Sequence, residues 1–323
     1  MRPESNRYVR LLLRSARSSV TRVEPPSSIA RIGGMFRSGY GDEVSQTSPE
    51  QTGTEQRCVM FVHAHPDDET TKGGGTAAWL AATGVRTVLV VCTDGGAGGV
   101  TDHALLGGRS LAEVRSDELA AAAAIMGFDV VHELGYADSG SESEVPQGFA
   151  SQPIAPMVDQ LTDLIEVERP DVVVTYDPEY AANHPDHLRC HEISAAAFAQ
   201  TTTDAGGPRK LYGSRFFSRR RVQAMHDWTV VHGLESPYER ALEKLPDERF
   251  TTRIAIGEHA VTARNALREH QTQIAHDHRW FYTIPDADFA HVYPWEEFEL
   301  LAVAPGFTLP MPADVESDLF TSL

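Results

Sequence analysis

"CVMFVHAHPDDE", residues 58–69, joins five apolar residues to a segment holding two histidines, two aspartates and a glutamate. An apolar run of this length bounded by polar residues predicts a buried strand over 58–62, because only a strand covered on both faces can be apolar throughout. Ligand-type side chains gathered where such a strand ends predict a binding loop. Outward from this stretch the pattern repeats. Strands are expected over 87–92, 130–134 and 172–176, with helices between them over 71–83, 111–126 and 154–168. Gly84 and Gly127 are the expected helix stops. Alternation of apolar strands with helices predicts an α/β fold: a Rossmann-like three-layer sandwich with a mostly parallel central sheet. After about residue 205 the pattern loosens. "KLYGSRFFSRRRVQAM" (210–225) suggests one or two strands, 258–275 a helix, and Pro-rich segments the remainder.

Loops at the carboxyl ends of the strands line the crevice of such a sheet. The second dense cluster, "NHPDHLRCH" at 183–191, follows the fourth expected strand. Two His/Asp loops at one sheet edge predict a single metal site at the carboxyl ends of the strands. Imidazole and carboxylate without thiolate suit Zn²⁺, and also Fe²⁺, Co²⁺ or Mn²⁺. Three protein donors with one open position would make the site catalytic. The glycine-rich "TDGGAGG" (93–99) lacks the spacing of either nucleotide fingerprint and reads as a flexible rim.

Composition narrows the partner. The chain has 28 Lys+Arg against 46 Asp+Glu, a formal net charge of −18, so phosphate backbones and anionic membranes would be repelled. A small, neutral or locally recognised molecule fits better than nucleic acid. Cys58, Cys92 and Cys190 have no paired spacing and read as reduced thiols of a cytoplasmic protein. No apolar stretch approaches the ~18 residues of a membrane span. Residues 1–40 carry eight arginines and two glutamates, and 41–56 offer almost nothing apolar. Residues 1–56 therefore read as a disordered basic and polar extension, with "YVRLLLRSARSSV" as its one amphipathic or transit-like segment, ahead of a single domain over 57–323. The oligomeric state has no sequence signature.

"FVHAHPDDE", "CTDG", "LGYADSG", "VVVTYDP" with "HPDH", and "ALREHQTQI", in that order over about residues 57–275, resemble the PIG-L/LmbE family of metal-dependent N-deacetylases. Within it the chain is similar to the branch containing the mycothiol-pathway deacetylase and the mycothiol-conjugate amidase. The resemblance implies that His65, Asp68 and His187 hold the zinc and that Asp67 is the general base. It implies that His184 stabilises the oxyanion or protonates the leaving amine, and that Arg115 and Asp138 hold the sugar. It also implies removal of an N-acetyl group from an N-acetylglucosamine-type sugar, a reaction that needs water activated by the metal and a base to take its proton. Two positions depart from the mycothiol-type pattern: Ala182 stands where a tyrosine is expected, with Tyr180 two residues earlier as a substitute, and Gly99 stands where an acidic residue is expected. An amidase acting on a mycothiol S-conjugate, and a sugar-binding protein without turnover, are the alternatives.

The remaining polar clusters have plainer readings. His63 and His191 are expected to be packing or supporting groups. "HQTQIAHDH" (270–278) reads as a polar helix end with surface histidines, and "SRRR" (218–221) as a solvated basic turn.

Overall fold

The computed structural model describes residues 56–181, 183–202, 206–215, 218–245, 250–307, 315–321 and 323. The extension expected over 1–56 lies outside the described residues except for Gln56, and so does Ala182.

The first strand, β1 (Cys58–His63), has every residue buried and is followed by a one-turn helix, α1 (Asp68–Thr71), and by α2 (Gly74–Ala82). Next come β2 (Arg86–Thr93), α3 (Leu111–Met126), β3 (Val130–Tyr136), α4 (Ile154–Glu168) and β4 (Val172–Tyr176). A short α5 (Pro178–Ala181) leads into α6 (Pro185–Thr201), and β5 (Lys210–Ser214), α7 (Arg219–Val231) and α8 (Glu239–Leu242) follow. The chain continues through β6 (Thr252–Ala255), α9 (His259–Leu267), α10 (Arg279–Tyr282), α11 (Asp286–Val292) and β7 (Trp295–Val303). Among the described residues these strands form one sheet in the order β3-β2-β1-β4-β5-β7-β6. Pairing is parallel from β3 to β5, and β7 runs antiparallel to both β5 and β6.

Alternation along the strands divides the core in two. Val59, Phe61, Leu89, Val91, Val172 and Val174 face α2, α3 and α7, whereas Met60, Val62, Val88, Val90 and Val173 face α4 and α6. Each such side chain taken fully from water contributes roughly 1.5–3 kcal/mol, so the sheet is held from both sides. Because β1 and β4 are neighbours whose onward connections run to opposite sides, a crevice opens beyond their carboxyl ends. "HAHPDDE" and "NHPDH" leave the sheet there.

Several local expectations are corrected. The helix expected over 71–83 is two helices, broken at Gly73, whose φ of 96° lies outside the helical range; glycine is also required at Gly74, where a Cβ would lie 2.8 Å from the Glu69 carbonyl oxygen. The helix expected over 258–275 stops at Leu267. In 210–225 the second part is helical, since Ser218 caps the Arg221 N–H and starts α7. "SRRR" is thus a helix start with Arg221 buried, not a solvated turn. His270 is fully buried, unlike the exposed His276 and His278.

The final described residues are pinned by a buried network. Lys210 Nζ lies 2.5 Å from Glu316 Oε1, and the Tyr212 and Thr252 hydroxyls donate to Glu316 Oε2 at 2.6 and 3.0 Å. Lys210→Met leaves that carboxylate without its counter-charge. It is expected to lower unfolding free energy by about 3 kcal/mol in urea titrations; a change below ~0.5 kcal/mol would mean that the hydroxyls alone satisfy Glu316.

Candidate active site

The loop after β1 is shaped by its backbone. The Tyr176 hydroxyl, from the end of β4, accepts the Ala64 N–H (2.6 Å) and donates to Asp68 Oδ2 (2.5 Å), tying the ends of the two central strands together. Asp67 has φ 114° and ψ −27°, a conformation that costs a non-glycine residue roughly 1–3 kcal/mol and persists only where the surroundings impose it. Its carboxylate meets Arg115 Nη2 at 3.1 Å. That of Asp68 turns the other way, with Oδ2 3.4 Å from His65 Nδ1 and 3.3 Å from His187 Nε2. Two adjacent aspartates thus face different groups. Lys72 Nζ sits on Asp68 Oδ1, while Oδ2 is shared by the Tyr176 hydroxyl and the two imidazoles.

The second loop brings the other imidazoles. His184 is the N-cap of α6: its Nδ1 accepts the Asp186 N–H (3.2 Å), and the fixed first turn carries His187 one helical turn on. Ring centroids of His65, His184 and His187 lie 4.6, 5.2 and 4.9 Å apart pairwise, and one donor nitrogen from each falls within 4.8 Å of the others. His187 also stacks on Tyr176 at 4.4 Å. On the far side of His65, Nε2 is 3.3 Å from Asp186 and 3.5 Å from Asp138. Asp186 is fully buried and accepts the Ser139 N–H (2.9 Å) and the Ala150 N–H (3.2 Å). A carboxylate fixed in this way orients the imidazole, leaving Nδ1 for a ligand beside Asp68.

Charge follows the geometry. Burial opposes ionisation of Asp68, but Lys72, His187 and His65 hold its carboxyl well below the usual range. Asp67 moves the opposite way: burial lifts it, Arg115 pulls against that, and the Asp68 charge adds to the lift. Burial pushes His184 down to about 4, helped by the neighbouring His65 and His187. Burial would also lower His65, but contacts with Asp138, Asp186 and Asp68 outweigh it and raise it well above its ordinary value. A buried imidazole among three carboxylates is a place made for a cation, and the donor types fit a divalent metal.

The other expected residues are distributed as follows. Arg115 is buried, and besides Asp67 its guanidinium donates to the Pro66 and Gly95 carbonyls, the latter at 2.9 Å. Gly95 permits this approach, because a Cβ there would lie 2.6 Å from Arg115 Cζ. Asp138 accepts the Gly140 N–H (2.9 Å) and the Ala97 N–H (3.3 Å) in addition to facing His65. Among the described residues the Tyr180 ring meets Arg215, whose guanidinium lies 5.6 Å from its centroid and pairs with Asp177. A Cβ on Gly99 would meet nothing within 4 Å, so that rim position is open. His63 is buried between Phe61 and Tyr176, and His191 Nδ1 lies 2.9 Å from the Tyr176 carbonyl. Tyr176, Asp186 and Lys72 had no role assigned from sequence, although two of them stand inside the motifs quoted for the resemblance.

Comparison with known proteins agrees with this architecture. Residues 60–198 match the family model described as PIG-L, GlcNAc-PI de-N-acetylase. The mycothiol S-conjugate amidase of Streptomyces coelicolor is 33% identical over 295 residues, covering 84% of this chain and 98% of the relative. The 1D-myo-inositol 2-acetamido-2-deoxy-alpha-D-glucopyranoside deacetylase of Salinispora arenicola is 34% identical over 290 residues, covering 83% and 92%. Among solved structures, N,N'-diacetylchitobiose deacetylase from Pyrococcus horikoshii aligns with a TM-score of 0.54 at 21% identity, covering 76% of this chain and 83% of that one. This last likeness speaks to the fold alone. With one-third identity across nearly the whole of an established relative, and with both His/Asp loops inside the matched stretch, the chain belongs to the PIG-L family.

Proposed function

We propose that the protein is a metal-dependent hydrolase that removes the acetyl group from an N-acetylated amino sugar or glycoconjugate. The observation that carries this reading is the convergence of His65, Asp68 and His187 beside an Asp67 carboxylate that faces elsewhere. His65, Asp68 and His187 would hold the ion; zinc suits this donor set, which Fe²⁺, Co²⁺ and Mn²⁺ share. When bound, such an ion supplies Lewis acidity, which brings the pKa of a water to about 7 and polarises an amide carbonyl.

The protein's own groups do the rest. Asp67, whose carboxyl burial raises above its ordinary value, accepts the proton of the attacking water. His184 Nδ1 is occupied by the Asp186 N–H, so a neutral ring carries its proton on Nε2. That N–H can donate to the carbonyl oxygen as charge develops there. It also argues against His184 as the third ligand, since Nε2 of this tautomer has no lone pair to give. The C–N bond breaks, the nitrogen takes up the proton that Asp67 received, and acetate and a free amine leave.

A second reading, hydrolysis of the amide of a mycothiol S-conjugate, is favoured by the Streptomyces coelicolor relative. An amine-release screen of the metal-loaded protein separates the two. The panel comprises N-acetylglucosaminyl-inositol, a mycothiol S-conjugate, and phosphatidylinositol-linked, nucleotide-linked and glycosidic N-acetylglucosamine. Acetate release from an N-acetyl sugar supports the first reading, and preference for the S-conjugate supports the second. Failure across the panel would remove both. The open rim at Gly99 gives a sharper prediction: Gly99→Glu should raise kcat/KM for N-acetylglucosaminyl-inositol several-fold at unchanged melting temperature. An unaltered value would show that this position does not reach the substrate.

We place the catalytic unit at residues 57–323 and the protein in the cytoplasm. The three cysteines are buried and unpaired, which suits a reducing compartment, and no described helix is long and apolar enough to cross a membrane. A chain starting at Gln56 should match the full chain in melting temperature and turnover; loss of either would assign residues 1–55 a packing or catalytic role.

A further inference from the structure

Behind the imidazole cluster lies a second buried constellation that the proposed chemistry does not use. His270, in the segment after α9, has no solvent exposure, and its Nε2 lies 2.6 Å from Glu69 Oε1. The other oxygen of Glu69 accepts the Asp67 N–H at 2.8 Å. Asp67 is the N-cap of α1 but makes no side-chain cap of its own, because its carboxylate is turned toward Arg115. Among the described residues the other non-glycine residues of positive φ, Ser143, Gln147 and Arg169, lie between 49° and 61°, well inside the left-handed basin. Asp67 at 114° lies outside it.

Neighbours of His270 bind the adjoining elements. The Thr272 N–H and hydroxyl donate to Glu118 at 2.8 and 2.6 Å, and Glu118 lies on α3 three residues beyond Arg115. The Thr101 N–H donates to the Thr272 carbonyl (2.9 Å), and Gln273 Nε2 to the Gly99 carbonyl (3.0 Å). Residues 270–273 therefore fasten together the turn bearing Asp67, the helix bearing Arg115 and the rim loop.

We infer that His270 is a positioning residue for Asp67: acting through Glu69 it holds the Asp67 N–H, and with it the backbone turn that aims the Asp67 carboxylate at Arg115 and away from His65 and His187. This rests on the reading of Asp67 as the base. A buried ion pair of purely structural value would instead matter for folding and leave the turn unchanged.

The double variant Glu69→Leu/His270→Leu tests this directly. Replacing both partners by apolar residues of similar size is tolerated far better than removing one, so the protein should fold, yet the Asp67 N–H loses its acceptor. With N-acetylglucosaminyl-inositol as probe, kcat is expected to fall about 10- to 100-fold with KM and bound metal unchanged. In an Asp67→Asn background the same pair of changes should cost less than about twofold, because residues acting through one group are not additive. Hydrogen exchange of the amides of Asp67, Asp68 and Glu69 should accelerate at least tenfold, with β1 unaffected. His270→Gln, which keeps an N–H near the position of Nε2, should restore kcat to within about threefold of the parent. Unchanged exchange in 67–69, or an equal loss of kcat with and without Asp67, overturns the inference. If Asp67→Asn alone turns over at the parental rate, the base assignment fails, while accelerated exchange would still report the clamp on the turn.

Discussion

Asp67→Asn is expected to lower kcat by about 10²- to 10⁴-fold while the protein keeps its metal. Asparagine preserves the size of the side chain and an oxygen for Arg115 Nη2, so the 3.1 Å contact and the turn around it have no reason to change. The Glu69 bond is to the backbone N–H and does not involve the altered group. What disappears is the capacity to accept a proton. The environment adds to this loss: burial, resisted by Arg115 and aided by Asp68, raises the Asp67 carboxyl above its ordinary value and so makes it a stronger base. Elemental analysis and amine release on the same preparation check both halves of the prediction. An Asp67→Asn protein that loses its metal would make Asp67 a ligand. One that keeps both metal and full turnover would remove it from the chemistry.

The same duality of backbone and side chain explains what was legible in the sequence. Strands β1 and β4 could be read because they are buried on both faces and therefore apolar without interruption. Helix α3 could be read to the residue, since its stop and start are local: Ser110 and Glu113 form a reciprocal capping box, and Gly127 takes φ 80°. Strand β7 was hidden by its charges. Glu296 is buried there because it accepts the Gly75 and Thr76 N–H groups at the start of α2, partners 221 and 220 residues away, and no local pattern encodes such a pairing. The helix expected to run to residue 275 fails for a related reason, with His270 drawn onto Glu69 across 201 residues. At the site, residue types and loop positions were readable from the two motifs. That the adjacent Asp67 and Asp68 part in direction was also readable; the groups that fix each direction were not, because Tyr176, Arg115 and Asp186 arrive from other elements.

His65→Ala is expected to bring bound metal well below one per chain and to abolish turnover, since His65 faces Asp68 through one nitrogen and is oriented by Asp186 through the other. His187→Ala should do the same, its Nε2 standing 3.3 Å from the same Asp68 oxygen. The third donor is the discriminating case, because His184 stands as close to the two imidazoles as they do to each other. Asp68 has an oxygen between His65 and His187 and a carboxyl held ionised by Lys72 and the imidazoles, whereas His184 has its Nδ1 engaged by the α6 backbone. Asp68→Asn should therefore weaken metal binding about 10- to 100-fold or more, with excess zinc restoring part of the turnover. His184→Ala should keep the metal and lose about 10²- to 10³-fold in kcat, the size of effect that follows removal of one donor to a developing oxyanion. Competition against a chromogenic chelator measures both affinities on one scale. If His184→Ala releases the metal and Asp68→Asn does not, the ring has turned to ligate through a nitrogen that the helix cap now occupies. The ion would then be held by three imidazoles, and Asp68 would serve to anchor Lys72 and Tyr176.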